Sequence, residues 1–262
     1  MAIGLKTIDA RTDVWSLGVV LFERSGRGLE LTPSGLELVG YVRAMAEAAN
    51  ELSLASTGQS QVLEGTVCVS TSEIYAAFLL PAVLDELRDT HPGITIEIVA
   101  TNATSDLKRR EADIALRSYR PTQPELVAKK IRTAEAGLYA SESYLNTLGA
   151  VEEPEQLASA HFIGFDQSSA LRNALVALGL PVTASSFPLL SSSHLVQWEL
   201  VKRGLGIGII DTHVGDAEEG VARVLADQVR MEFPVWLVAH RELQTSRRIR
   251  VVYDLLAQRL GD

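Results

Sequence analysis

The chain reads as an α/β protein with a bilobal body, and three observations carry that reading. From Gly65 onward, short apolar segments of β character alternate with segments of helical period. The alternation runs through two consecutive sets, each the size of a small Rossmann-like lobe. The sets join near 137–141 and again near 236–241, so two strands are expected to cross between the lobes. Strand–helix–strand order at this spacing implies parallel pairing with right-handed crossovers.

In chain order, residues 1–20 show no helical or strand period, and no recognition helix can be placed there. The stretch Leu21 to Leu36, LFERSGRGLELTPSGL, is more informative. A glycine-containing turn, Ser25-Gly26-Arg27-Gly28, lies between apolar positions and predicts a short hairpin with arginines at its base and tip. Thr32 before Pro33 is N-cap chemistry with proline at the first helical position. A helix is therefore predicted from Pro33 to about Leu54. Its apolar residues Leu38, Val42, Met45, Ala49 and Leu52 step by 4, 3, 4 and 3, the seam of a two-stranded coiled coil. A polar stretch, ASTGQSQ, follows.

The first set comprises a strand at 66–70, a helix at 73–89 and a strand at 94–100 with Ile94, Ile96 and Ile98 on one face. A short helix at 106–111 and a strand at 113–117 complete it. The second set has strands at 137–140, 161–165, 186–190 and 206–210, with helices near 142–148, 169–178 and 193–203 between them. Strands at 221–225 and 234–239 and a closing helix over about 245–260 end the chain.

Apolar residues make up 47% of the 262, ample for a core, and charged residues 22%. One cysteine, Cys68, excludes an internal disulfide framework and suits a reducing cytosol; mid-strand in TVCVS, it reads as a small buried apolar residue. The N-terminus lacks a secretory pattern and no run of eighteen apolar residues occurs, so a cytoplasmic protein without a membrane partner is expected. The net charge of -9 argues against strong nucleic-acid binding by the whole chain. Residues 1–60 carry five bases against seven acids, a balance of -2, so no basic footprint marks that end either.

Several chemistries find no support. The five histidines are scattered without metal-ligand spacing, and no metal site is expected. No G-x-S-x-G elbow offers a serine nucleophile. Gly204-Leu205-Gly206-Ile207-Gly208 follows a helix and precedes a strand, the reverse of a dinucleotide fingerprint. Gly204 reads instead as a left-handed cap on helix 193–203, with Gly206 and Gly208 easing close packing. The chain is not expected to be an enzyme.

The polar clusters at strand ends read as a binding site. Ser70, Thr71 and Ser72 follow the first strand, Thr101 and Asn102 the second, and Ser191, Ser192 and Ser193 precede helix 193–203. Ligands of open α/β sheets bind beyond the carboxyl ends of strands. Hydroxyls and free N–H groups at helix starts suit a carboxylate or similar anion, though each is also ordinary capping chemistry. Arg117 is a candidate counter-charge, with a salt bridge to Asp113 or a surface role as alternatives, and Phe165 completes the candidate effector set.

The wing-like hairpin and linker helix, with DIALR at 113–117, LYASESYL at 138–145, LVKRGLGIGII at 200–210 and WLVAH at 236–240, resemble a LysR-type transcriptional regulator over about residues 21–260. Asp211 stands where that family often has proline. The resemblance implies a periplasmic-binding-protein-like effector domain at 61–262, with lobe I about 65–137 and 240–262 and lobe II about 138–239. Before it would lie a linker and dimerisation helix at 33–60 and an incomplete winged helix-turn-helix remnant at 1–32, its wing at 21–32. It also implies an anionic small-molecule co-inducer and no other cofactor. The partners would be a second copy, as dimer or tetramer, and DNA in the full-length form, with weak or absent binding by this chain. Arg24 and Arg27 would contact phosphates or the minor groove. The family also pairs effector domains side by side, which here sets helix 73–90 against the partner's strand 94–100. The alternative is a bilobal solute-binding protein without chemistry.

Overall fold

The computed structural model describes residues 20–25, 28–56, 63–102, 112–123, 126–165, 169–240 and 246–261. The hairpin forms as β1 (Phe22–Ser25) and β2 (Gly28–Leu31), antiparallel with Phe22 opposite Leu31. The turn residues Gly26 and Arg27 lie outside the described residues, as does the helix expected at 106–111. Helix α1 (Pro33–Ser56) starts where the cap chemistry places it. The Thr32 hydroxyl accepts from the Gly35 N–H at 3.0 Å and donates to the Val20 carbonyl, tying the helix start to the chain before the hairpin. Two positions of the predicted seam, Val42 and Met45, are 62% and 72% exposed in the single chain.

The body is built on one seven-stranded sheet. In spatial order it runs β4 (Ile94–Ala100), β3 (Gly65–Thr71), β5 (Ile114–Arg117), β11 (Met231–His240), β6 (Leu126–Ser141) and β10 (Val221–Val224), with β9 (Gly208–Asp211) also on β6. A small second pair joins β7 (Ile163–Gly164) to β8 (Leu189–Leu190). The parallel expectation holds for β3 with β4 and β5 and for β7 with β8. The remaining pairs, β11 with β5, β6 with β11, and β6 with β9 and β10, are antiparallel.

The reason lies in the crossing strands. β6 leaves the first half for the second and β11 returns, so the two must run in opposite directions. They pair from Leu126 opposite His240 to Ala136 opposite Met231, a ladder far longer than the short joins expected near 137–141 and 236–241. A bulge between Val235 and Trp236, opposite Arg132 and Lys130, bends this ladder at mid-length.

Two apolar clusters build on the ladder, and the larger one reaches from the first half across to Ile163, Trp198 and Val214 of the second. In the first half, helix α2 (Leu80–Thr90), entered through a π-helical turn at Tyr75–Leu79, packs with the closing helix α7 (Arg247–Arg259) on the β3 side of the sheet. Leu80, Leu87, Ile249 and Leu256 are buried there, and Arg259 forks onto the Glu86 carboxylate at 2.6 and 2.7 Å. In the second half, Leu138, Phe162, Leu175, Ile207 and Val229 form a separate apolar cluster. Helices α3 (Glu142–Leu148) and α4 (Ala170–Ala177) pack on it, while Trp198 and Val201 of α5 (His194–Lys202) and Val214 of the single turn α6 (Thr212–Gly215) belong to the first cluster.

Three local expectations changed or sharpened. The strand expected at 186–190 is a 3-10 turn at Ala184–Ser186 followed by Leu189–Leu190 alone, because only those two residues reach β7. Ile94, Ile96 and Ile98 alternate onto one face of β4 as expected, but burial falls along it from Ile94, buried, to Ile98, 41% exposed, on what is an edge strand of the sheet. Gly204, at φ +75°, closes α5 as expected: its N–H bonds the Val201 carbonyl and the Leu205 N–H bonds that of Leu200, a Schellman arrangement.

Candidate effector-binding cleft

Between the two halves lies a cleft of about 270 Å³. The first half supplies Ser72, Ile74 and Tyr75 from the start of its helix and Ser118 after β5. The crossing strands supply Ala136 and Phe233, and the second half supplies Phe165, His194, Trp198 and the end of β9. Placement follows from the sheet: β3 and β5 end at the cleft, and so does β9, so their carboxyl ends face a common space.

The strand-end clusters do converge from both halves, and they bond to each other through Glu73. The Glu73 carboxylate accepts from the Ser193 hydroxyl at 2.8 Å, from Asn102 Nδ2 at 2.9 Å and from the Leu195 N–H at 3.5 Å. Ser193 is also the N-cap of α5, accepting from the Val196 N–H at 3.3 Å. Asn102 closes the loop by accepting from the Glu73 N–H at 3.3 Å and donating to the Ser192 carbonyl at 3.1 Å. The positive end of α5, where an external anion was expected, thus holds a carboxylate of the chain itself. Burial works to raise the Glu73 pKa, but the hydrogen bonds from Ser193, Asn102 and the α5 backbone outweigh it and hold the group below its ordinary value.

A second link across the halves is ionic and buried. Arg132 on β6 and Asp211 at the end of β9 approach to 3.5 Å, with side chains 7% and 3% exposed. The Tyr75 hydroxyl donates to Asp211 at 3.0 Å and accepts from Arg132 at 3.4 Å, while the Arg132 guanidinium also stands over the Tyr75 ring. Asp211 accepts the His213 N–H at 2.9 Å and so caps α6. Burial, with the Asp211 charge beside it, pushes the Tyr75 phenol far up, so it stays a donor. Asp211 is the centre of this network.

The remaining sequence candidates fall as follows. Arg117 is buried and donates to the Ser70 hydroxyl at 2.7 Å and the Ser70 carbonyl at 3.0 Å, which fixes the end of β3. Asp113 accepts the Cys68 N–H at 2.8 Å. Thr71 is fully buried, and the Thr101 N–H bonds its carbonyl at 2.9 Å. Ser72 accepts the Tyr75 N–H at 3.3 Å and lines the cleft. Ser191 accepts the Ser193 N–H, shaping the entry to α5, and Ser192 is exposed. Phe165 lines the cleft with its ring 5.0 Å from that of His194. Burial lowers the His194 pKa against the opposing pull of Glu73, leaving a neutral imidazole at neutral pH. Arg24 sits in β1 opposite Leu29, and Arg27 lies outside the described residues.

Sequence reasoning missed Glu73, Tyr75, Arg132, His194, Trp198 and Asp211. An acid directly after the Ser70–Ser72 cluster and an arginine in the apolar register of a strand were the available signals. Among the described residues no group of three or more His, Cys, Asp or Glu could hold a metal, and no helix is long and apolar enough to cross a membrane.

Two lobes strung on antiparallel crossing strands around a polar-edged cleft define a regulatory domain of the periplasmic-binding-protein type. Residues 60–261 match the LysR substrate binding domain, and the chain belongs to the LysR family of transcriptional regulators. The HTH-type transcriptional regulator CrgA of Neisseria meningitidis serogroup C is 28% identical over 255 residues, covering 94% of this chain and 84% of that protein. The solved CrgA regulatory domain superposes with a TM-score of 0.68 at 25% identity, over 76% of this chain and all of that one. ArgP of Mycobacterium tuberculosis shares the fold at TM-score 0.70, with 17% identity over 95% of this chain and 84% of that one.

Proposed function

We propose that this chain senses a small organic effector in the interlobe cleft and reports occupancy through α1 to the DNA-binding ends of a cytoplasmic dimer or tetramer. The observation that carries the reading is the Glu73 latch. It bonds the first half's helix start to the second half's α5 between residues adjacent in sequence to cleft-lining Ser72, Ile74 and His194, so an occupant that shifts those neighbours would disturb the latch and with it the relation of the halves. An effector acts only to the extent that it binds one arrangement more tightly than the other. In this reading residues 33–60 form the stalk, 61–262 the sensor, and Arg24 and Arg27 of the wing meet phosphates. The protein performs no chemistry of its own. Its relatives are transcriptional regulators, and the cleft's carboxylates are engaged by Tyr75, Arg132 and α5.

The test is a thermal-shift screen of metabolites against the protein and a Ser118→Trp variant, whose indole would plug the rim of the cleft. A ligand stabilises by RT ln(1 + [L]/Kd), so about 2.7 kcal/mol at a hundredfold excess over Kd. Compounds that stabilise the parent and not the variant support the reading. Equal stabilisation of both, or of neither across the library, counts against it.

Pairing is proposed along two apolar surfaces. One is the α1 seam with Val42 and Met45; the other combines Phe78, 39% exposed, with Ile98 on the edge strand. Met45→Glu places a charge in the seam and is expected to shift sedimentation toward smaller species. An unchanged mass would remove α1 from the interface.

A further inference from the structure

We propose that the effector is an uncharged compound built on one planar ring and bearing a hydrogen-bond acceptor. The inference rests on the cleft being the effector site and specifies what that site takes. Size comes first: an apolar cavity of about 150 Å³ accommodates benzene, and this cleft is about 270 Å³, room for one ring with substituents. Shape comes next. Rings line it from both halves and from the crossing strands: Tyr75, Phe165, His194, Trp198 and Phe233. Aromatic walls favour flat partners through offset and edge contacts that a saturated ring cannot reproduce.

Charge then excludes ions. Among the described residues no lysine or arginine lines the cleft, whereas Asp211 does and Glu73 stands between the lining residues Ser72 and Ile74. An anion would enter beside two carboxylates, and the α5 N-terminus that could hold it is already filled by Glu73. A cation would find Asp211 paired with Arg132 and Glu73 held by Ser193 and Asn102. The half-buried His194 ring, its pKa lowered by burial, supplies no fixed counter-charge.

One donor remains over. Trp198 lines the cleft and is 2% exposed, and its Nε1–H has no hydrogen-bond partner among the described residues. A buried N–H without an acceptor carries an uncompensated desolvation cost. A carbonyl or ether oxygen on the occupant would remove it.

Four probes of similar size separate these requirements by calorimetry: acetophenone, benzoate, ethylbenzene and cyclohexyl methyl ketone. The Trp198 indole resonance is followed in parallel and assigned with Trp198→Phe. Acetophenone is expected to move that resonance and to bind at least about tenfold more tightly than benzoate or the saturated ketone. Trp198→Phe should weaken acetophenone about tenfold and leave ethylbenzene unchanged, which also shows that the variant's cleft is intact. Should that variant not fold, the parent's indole resonance still decides, shifting with acetophenone but much less with ethylbenzene. Benzoate binding as tightly as acetophenone overturns the inference, as does failure of all four. A metabolite from the library screen that proves anionic and is blocked by Ser118→Trp would also sink it, while leaving the effector reading intact.

Discussion

Arg132→Met is expected to lower the free energy of unfolding by about 3–5 kcal/mol, the usual cost of removing one member of a buried ion pair. The guanidinium is 7% exposed and faces Asp211, 3% exposed, with the Tyr75 hydroxyl between them. Methionine keeps most of the side-chain length, so the loss reflects a stranded Asp211 charge rather than an emptied volume. The double variant Arg132→Met/Asp211→Asn should recover more than half of that loss. Asparagine removes the unpaired charge, keeps an oxygen for the His213 N–H, and turns its amide N–H to the Tyr75 hydroxyl, whose acceptor side Arg132 no longer occupies. Urea unfolding of the two variants and the parent measures both effects. Equal stability of the single and double variants would show that the pair does not act as a unit.

The second large effect belongs to Glu73→Gln. The carboxylate faces only donors: the Ser193 hydroxyl, Asn102 Nδ2 and the Leu195 N–H. The new amide group would bring N–H against them, and losing hydrogen bonds to a charged acceptor costs about 1.5–3 kcal/mol. The effect depends on pH with a definite sign. The native Glu73 pKa lies below the ordinary value of 4.5, so its contribution is complete above that pH and fades as pH falls through the lower native value. The difference between parent and variant should therefore be full at pH 7 and shrink below about pH 4.5. A difference that stays constant into acid would mean the carboxylate's charge is not what holds the latch. The exposed Glu86–Arg259 pair, also titrating there, is common to both proteins and cancels.

The first half was legible because its elements are local. The apolar segments TVCVS and ITIEIVA are strands at β3 and β4, and Thr32-Pro33 sets the start of α1. The turn at Gly204 was readable for the same reason: a left-handed glycine after a helix leaves few alternatives. The crossing strand β6 was not. Its first part, LVAKKIRTAEA, carries two adjacent lysines on exposed positions and gives no clean alternation. What makes it a strand is β11, about a hundred residues away, pairing with it along ten positions. Tertiary partnership decided that element, and local propensity was silent.

The site shows the same division. Serines and Asn102 at strand ends were visible as polar clusters, and they do meet across the halves. What the clusters meet was hidden, because Glu73 reads as an ordinary first-turn acid until α5 is brought opposite it. Arg117 looked like a counter-charge for a ligand but is turned to Ser70, since a buried guanidinium must satisfy its donors nearby. Asp211 looked like a minor departure from a family pattern, yet it joins β9, α6, Tyr75 and Arg132.

The most direct measurement reads the relation of the two halves with and without the latch. Cysteines at Arg88 on α2 and Val176 on α4 are exposed labelling sites, while the single native cysteine, Cys68, is buried. Spin labels there, with labelled chain diluted in excess unlabelled chain, report the intrachain distance between halves by pulsed dipolar spectroscopy. The distribution should be narrow in the parent and longer and broader in Glu73→Gln. Superimposable distributions in the two proteins would contradict a latch that sets how the halves sit over the cleft.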